Sequence, residues 1–306
     1  MRRGQSIYGV RKPAIISYRL EEREEELRDV PTIYPVMLYN ESDKRLGARK
    51  ELSMKTAFIT GATSGIGREF ARRFAAMGYR LILTGRRVDR LEQLQEQLDV
   101  PCRILPADLE EEAQCKKLLD DLAGERINVF INNAGFGAAG SFLDTDPEKE
   151  IRMVKVNDIA MHILFKGILL KMNRQGYGSI LNVASSAGLF PAGPFMATYY
   201  ASKAYVASLT RAVAQELKER GSRVYVACLC PGPVNTEFNE VADVAFALKG
   251  ISAKQCVDEC LAGMRKKKTV IIPTGQMRMA IFGQRFAPQR LLIRMVGHQQ
   301  KKKLEK

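Results

Sequence analysis

Histidine is scarce in this 306-residue chain: His162 and His298 are the only two. That count excludes a histidine-rich metal centre. A Ser-His-Asp hydrolase would have to recruit one of the two, and no GxSxG motif precedes either. None of the six cysteines, Cys102, Cys115, Cys228, Cys230, Cys256 and Cys260, forms a CxxC, so neither a zinc site nor a disulfide framework is indicated. Cys228 and Cys230 would share one face of a strand, and Cys256 and Cys260 one face of a helix, which predicts buried reduced thiols. No secretory signal is evident, and no uncharged apolar run reaches membrane-spanning length. The expectation is a soluble protein of a reducing cytoplasm.

Acidic residues are nearly missing from one region. Residues 265–306 hold twelve Lys/Arg against Glu305 alone, whereas residues 54–264 hold 25 against 24 and residues 1–53 hold eleven against nine. The formal charge of +14 therefore belongs to the tail, and a uniform nucleic-acid-binding face is not indicated. In residues 275–306 apolar residues interleave with arginines. A basic amphipathic helix packed on the domain or on a partner is the favoured reading. An interfacial helix drawn to anionic lipid, giving peripheral membrane contact, is the other. Residues 1–53 show a charge run, "EEREEELRD", and no helical or strand period, so they read as a poorly structured extension. For a bacterial source the true start could instead be Met54, since Lys50-Glu51 is codable as a ribosome-binding sequence.

From Met54 onward short apolar runs alternate with helical patterns. Strands are predicted over 56–60, 80–84, 102–105, 128–132, 179–184, 223–229 and 269–272. Helices are predicted over 65–78, 88–98, 109–123, 147–174, 198–220 and 253–266. This alternation predicts an α/β fold: a Rossmann-like, doubly wound parallel sheet of about seven strands in a single domain, residues 54–274, followed by the basic segment 275–306.

The first strand runs into Thr60-Gly61-Ala62-Thr63-Ser64-Gly65-Ile66-Gly67 and then a helix. Glycines permit a tight turn and close approach of backbone to ligand, and a helix N-terminus offers free N–H groups to a pyrophosphate. Asp108-Leu109-Glu110-Glu111 reads locally as an N-cap and capping box. At 198–203 the sequence is "TYYASK", and helix geometry favours Tyr199 only weakly over Tyr200 as the tyrosine that stacks toward Lys203.

"TGATSGIG", "NNAG" at 132–135, Tyr199-x3-Lys203 and "PGPVNT" at 231–236, in that order and spacing, resemble the short-chain dehydrogenase/reductase family across residues 54–272. The resemblance implies hydride transfer between a nicotinamide cofactor and a small-molecule carbonyl or alcohol, with Tyr199 as acid/base and Lys203 as its partner and ribose ligand. Gly61, Ser64, Gly65, Ile66, Gly67, Asn133, Val234 and Thr236 match cofactor positions, and Asp108 an acid that meets the adenine. Asn157 matches a helix asparagine of a proton relay through water. Both Ser185 and Ser186 fit the serine position. A loop one residue longer than usual favours Ser185. The resemblance also implies a homodimer or homotetramer built on the helices at 147–174 and 198–220. The loop after Thr236, with Phe238, Val241, Val244, Phe246 and Leu248, is where the family sets substrate choice. The alternative is a catalytically inactive NADP-binding redox sensor or scaffold.

An acid at the end of the second strand would favour NAD(H), and an arginine the 2′-phosphate of NADP(H). "LILTGRR" has no acid there, and Arg86 stands nineteen residues after Gly67. NADP(H) is expected, with Arg86 the main contact and Arg87 secondary. A free tyrosine has a pKa of about 10, so acid/base work near neutrality asks for a downward shift of roughly two to three units, expected from the Lys203 ammonium and an oxidised nicotinamide.

Overall fold

The computed structural model describes residues 54–238 and 250–304. The N-terminal segment 1–53 lies outside them, as do Val241, Val244, Phe246 and Leu248 of the loop after Thr236.

Seven parallel strands form one sheet. They are β1 (Thr56–Thr60), β2 (Arg80–Thr84), β3 (Cys102–Ile104), β4 (Val129–Asn132), β5 (Gly178–Val183), β6 (Val224–Leu229) and β9 (Val270–Ile271), in the spatial order β3-β2-β1-β4-β5-β6-β9. A second, two-residue parallel pair joins β7 (Val234–Asn235) to β8 (Ile251–Ser252), which the sequence pattern did not predict. The strands carry apolar side chains on both faces because helices cover both. Ala57, Ile59, Leu81 and Leu83 pack against α1 (Gly65–Ala76), α2 (Val88–Glu96) and α7 (Ala253–Arg265) through Phe70, Phe74, Leu91 and Val257. On the opposite face Phe58, Ile82, Phe130 and Ile180 meet α3 (Glu112–Asp121), α5 (Met161–Gln175) and α6 (Ala197–Glu219) through Leu118, Leu164, Phe165 and Val206. Phe58 and Phe130, neighbours across the β1–β4 pairing, stack at 4.9 Å.

All six cysteines are free thiols. Five are buried and Cys102 is partly so. Cys228 and Cys230 lie on the α5–α6 side, and Cys256 and Cys260 on the other. Burial pushes Cys102 and Cys115 up to about 11 and Cys256 to about 12, which makes these three poor nucleophiles.

Three local features depart from the sequence pattern. The helix expected over 147–174 is interrupted: α4 (Pro147–Val154) passes through one π-helical turn, Lys155–Ala160, before α5. The helix expected from 109 begins at Glu112 with Glu111 as its N-cap, so Asp108 is not a helix cap. Instead the Asp108 carboxylate accepts from the Glu110 N–H at 3.0 Å, and its own N–H donates to Gln114. Finally, the basic C-terminal segment is two helices, α8 (Gly275–Gly283) and α9 (Gln289–Leu304), because Pro288 breaks the run. Among the described residues no helix is long and apolar enough to cross a membrane.

The sheet order reverses direction at β1 and β4. In open α/β sheets the carboxyl ends of the strands at such a point border the ligand crevice.

Candidate active site

β1 ends at Thr60, and the chain turns through Gly61 and Gly65 at φ of 65° and 53°. Both angles suit only glycine without strain. A Cβ on Gly61 would also lie 2.9 Å from the Ala134 Cα. Gly67 needs its bareness for packing alone: a Cβ there would collide with the Gly61 carbonyl and stand 2.5 Å from Asn133 Nδ2. Ser64 is the N-cap of α1 but makes no side-chain capping bond. Asn133 clamps the turn, its Nδ2 donating to the carbonyls of Thr60 at 3.0 Å and Gly61 at 3.2 Å. One residue earlier, Asn132 ties β4 to β5 by donating to Asn182 Oδ1 at 3.2 Å, and Asn182 in turn donates to Thr210 on α6.

Beside this turn lies a cavity of about 790 Å³. Its wall includes Gly61, Ser64, Gly65, Ile66, Arg86, Asp108, Asn133, Ser185, Tyr199, Lys203, Val234 and Thr236. Two residues proposed for the site from sequence do not reach it. Gly67 is used up in packing α1 onto the turn. Asn157 sits in the π-helical turn with both polar side-chain atoms committed: Oδ1 accepts from the Phe136 N–H, and Nδ2 donates to the Phe136 carbonyl and to Ser202 Oγ at 3.1 Å. Ser202 Oγ donates to the Tyr199 carbonyl at 2.9 Å. The Asn157 side chain is therefore a brace between the π turn and the first turn of α6. Its neighbour Asp158 has one carboxylate oxygen with no partner among the described residues, and burial raises its pKa to about 6 against the pull of Lys203.

Ser185 and Tyr199 meet across the cavity. Ser185 follows β5 and starts the 3₁₀ turn Ser186–Leu189, where its hydroxyl accepts from the Ala187 N–H at 3.1 Å. The Ser185 hydroxyl also stands near enough to the Tyr199 phenol to pull its pKa down. Gly188 lets this turn sit directly on the Lys203 carbonyl of α6. Lys203 Nζ donates to the Val183 carbonyl at 3.1 Å and stands 5.9 Å from the centre of the Tyr199 ring.

The electrostatics differ from the simplest expectation. Burial pushes the Tyr199 phenol up to about 12, against the pull of the Ser185 hydroxyl, with Tyr200 and Cys230 adding to the rise. Burial likewise lowers Lys203 to about 8, opposed by Asp158. In the chain alone, desolvation is the largest influence on both groups.

Also on the cavity wall, Arg86 donates to Glu110 at 2.8 Å and stands 4.0 Å from Asp108. Its side chain is 58% exposed. Arg87 is more committed, donating to Thr63 and to Glu237, both at 3.0 Å. A smaller pocket of about 280 Å³ opens beside Arg86, lined also by Pro106, Ala107, Asp108 and Gln114. Thr236 packs on Gly65, where a Cβ would lie 3.1 Å from its side chain.

Sequence reasoning missed an entire wall. α8 and α9 fold over the cavity and line it with Met277, Ala280, Leu292, Met295 and Val296. Gln300 Nε2 donates to the Tyr200 hydroxyl at 2.6 Å, and Gln284 Nε2 donates to the Leu189 carbonyl at 2.8 Å. Tyr200 points away from Lys203 into this packing, as its place on the helix requires. Phe238 lies 5.5 Å from the Tyr199 ring. The apolar positions of 275–306 were visible as a pattern, but nothing local in that pattern says what they cover.

Comparison with known proteins fits this geometry. Residues 55–244 match the family described as short chain dehydrogenase. The chain is 29% identical over 267 residues to dehydrogenase/reductase SDR family member 7B of Bos taurus, covering 80% of this chain and 81% of that protein. A solved short-chain dehydrogenase from Sphingobium yanoikuyae in complex with NADPH is 31% identical with a TM-score of 0.69, over 78% of this chain and 95% of that one. A short chain dehydrogenase/reductase from Burkholderia phymatum in complex with NAD is 26% identical with a TM-score of 0.67, over 76% and 92%. With more than half its length matched, the chain belongs to the short-chain dehydrogenase/reductase family of oxidoreductases.

Proposed function

We propose that this oxidoreductase interconverts a carbonyl and an alcohol with NADP(H), and that Tyr199 is its proton donor and acceptor. One observation carries the reading: Tyr199, Ser185 and Lys203 line the same cavity as the glycine turn and Arg86. The turn suits a dinucleotide, because Gly61 and Gly65 leave bare backbone at a helix N-terminus and Ser64 has no capping bond to lose.

A bound nicotinamide cofactor supplies or receives the hydride. Ser185 donates a hydrogen bond to the substrate oxygen, and Tyr199 transfers its phenolic proton to that oxygen as the carbonyl becomes an alcohol. A phenol held at about 12 carries its proton at neutral pH but gives it up less readily than a free one, a rise that positive charge beside it must offset. The Lys203 ammonium then stabilises the phenolate left behind. In the reverse direction the same charge helps Tyr199 to accept the proton. Phe136, Met196 and Phe238 make the surroundings of Tyr199 apolar, which favours a partly apolar substrate.

Arg86 is the group for the 2′-phosphate. It is exposed on the cavity wall, and its known partners are acids it can share or leave. A guanidinium grips phosphate in a bidentate way. Nicotinamide oxidation measured on aldehydes, ketones, 3-oxoacyl thioesters and 3-oxo acids, with NADPH and NADH in parallel, tests the reading. NADPH is the preferred donor, and Arg86→Ala lowers the NADPH-to-NADH efficiency ratio by about tenfold or more. An unchanged ratio removes Arg86 from cofactor choice. Consumption with no carbonyl class supports the regulatory alternative.

The faces of α4, the π-helical turn, α5 and α6 support a homodimer or homotetramer. Ile151, Ile159, Leu170 and Tyr205 are each exposed by a third or more while the opposite sides of these helices fill the core. Light scattering at micromolar concentration gives twice or four times the chain mass. A monomeric mass contradicts the assembly.

A further inference from the structure

The helix pair α8–α9 has two unlike faces. Its inner face forms the apolar wall of the cavity. Its outer face exposes Phe286 at 77%, Met279 at 74% and Phe282 at 59%, together with Leu291 and Met295. A helix face that only meets water is ordinarily polar, and contiguous exposed apolar side chains mark an interaction site. The charged residues that accompany these are of one sign: Arg285 in the 3₁₀ turn Gln284–Phe286 between the helices, Arg290 and Arg294 on α9, and Lys301 and Lys302 near its end, with no acid in the sequence between Arg265 and Leu304. Arg285 lies over the Phe282 ring at 5.8 Å, and the Phe282 and Phe286 rings meet edge to face at 5.5 Å.

We propose that the outer face of α8–α9 docks on an anionic lipid bilayer and so holds the cavity mouth at the membrane surface. The apolar residues enter the boundary between headgroups and acyl chains while the arginines and lysines meet lipid phosphates. Arginine stems and aromatic rings suit that boundary, being apolar along their length and polar at the rim or tip. The same face of a second copy is a poor occupant, since residues 265–304 bring the same positive charge and no acid. Met295 both lines the cavity and is half exposed on the outer face, so the entrance lies against the docked surface. An apolar carbonyl or alcohol dissolved in the bilayer would then reach Tyr199 without crossing water. Docking does not depend on the hydride-transfer reading.

Flotation of the purified full chain with phosphatidylcholine vesicles, with and without phosphatidylglycerol, tests this. The chain floats with the anionic vesicles only, and rising salt weakens the binding. Phe282→Ser with Phe286→Ser, and separately Arg285→Gln with Arg290→Gln and Arg294→Gln, each lower the partition coefficient by about tenfold or more. Circular dichroism and the melting temperature stay at the parent values, since none of these side chains lines the cavity. The proposal is overturned if the parent ignores phosphatidylglycerol, as it would if the face served an acidic protein, or if either folded variant floats like the parent. It is equally overturned if light scattering finds the Phe282/Phe286 variant in a smaller assembly than the parent, because a second copy then owns the face.

Discussion

Tyr199→Phe lowers kcat by about a hundredfold to ten-thousandfold, the range for losing a positioned general acid, and leaves NADPH binding within about twofold. The ring that fills the space between Ser185, Phe238 and Tyr200 remains, so the cavity keeps its shape. Only the hydroxyl and its proton are lost. Tyr200→Phe is the matched control. It deletes the partner of Gln300, a buried hydrogen bond worth about 1 kcal/mol, but it removes no group within reach of the Ser185 hydroxyl. Its kcat stays within about tenfold of the parent. Steady-state kinetics with fluorescence titration of NADPH separates the two. A dead Tyr200→Phe beside a live Tyr199→Phe would reverse the assignment.

Gly188→Ala has the second large effect, for a reason that lies in packing. The backbone at Gly188 is not in the left-handed region, so alanine is tolerated locally. Its Cβ, however, collides with the Lys203 carbonyl and presses on the Ala204 nitrogen of α6. Neither is a flexible side-chain end, so the 3₁₀ turn and the helix must move apart. Overpacking of this kind costs about 3 kcal/mol or more against backbone, and about 2–4 °C of melting temperature accompanies each kcal/mol in a domain of this size. A fall of about 6–12 °C is expected by calorimetry. The same separation pulls Ser185 from Tyr199, and a displacement of about 1 Å costs on the order of a hundredfold in rate. Gly124→Ala, where a Cβ meets nothing within 4 Å, should change neither quantity.

The sheet was legible in the sequence because each strand is a short apolar run buried on both faces, a pattern with few other uses. β1 and β2 fall on the expected residues, Thr56–Thr60 and Arg80–Thr84. Most candidate site residues line one cavity because glycine turns and strand ends leave little freedom in where the next residue points. What was not legible depends on long-range packing. The π turn holding Asn157 has no composition of its own. It is associated with side-chain bonds to Phe136, twenty-one positions earlier. Asp108 looked like a cap, yet the chain leaving β3 through Pro106 delays α3 until Glu112. The break before Pro288 could have been read from the proline. The cover that α8 and α9 place over the site could not, since it rests on contacts such as Gln300 with Tyr200 a hundred positions apart. The raised phenol of Tyr199 is likewise a consequence of depth, which no motif records.

The most direct test of hydride transfer at this site is reduction of an accepted carbonyl with NADPH deuterated at the transferable ring position, followed by mass spectrometry of the alcohol. The account predicts deuterium on the former carbonyl carbon, an isotope effect on single-turnover reduction, and no labelled product from Tyr199→Phe within the same time. Alcohol formed without deuterium, or labelled product from Tyr199→Phe at the parent rate, would contradict it.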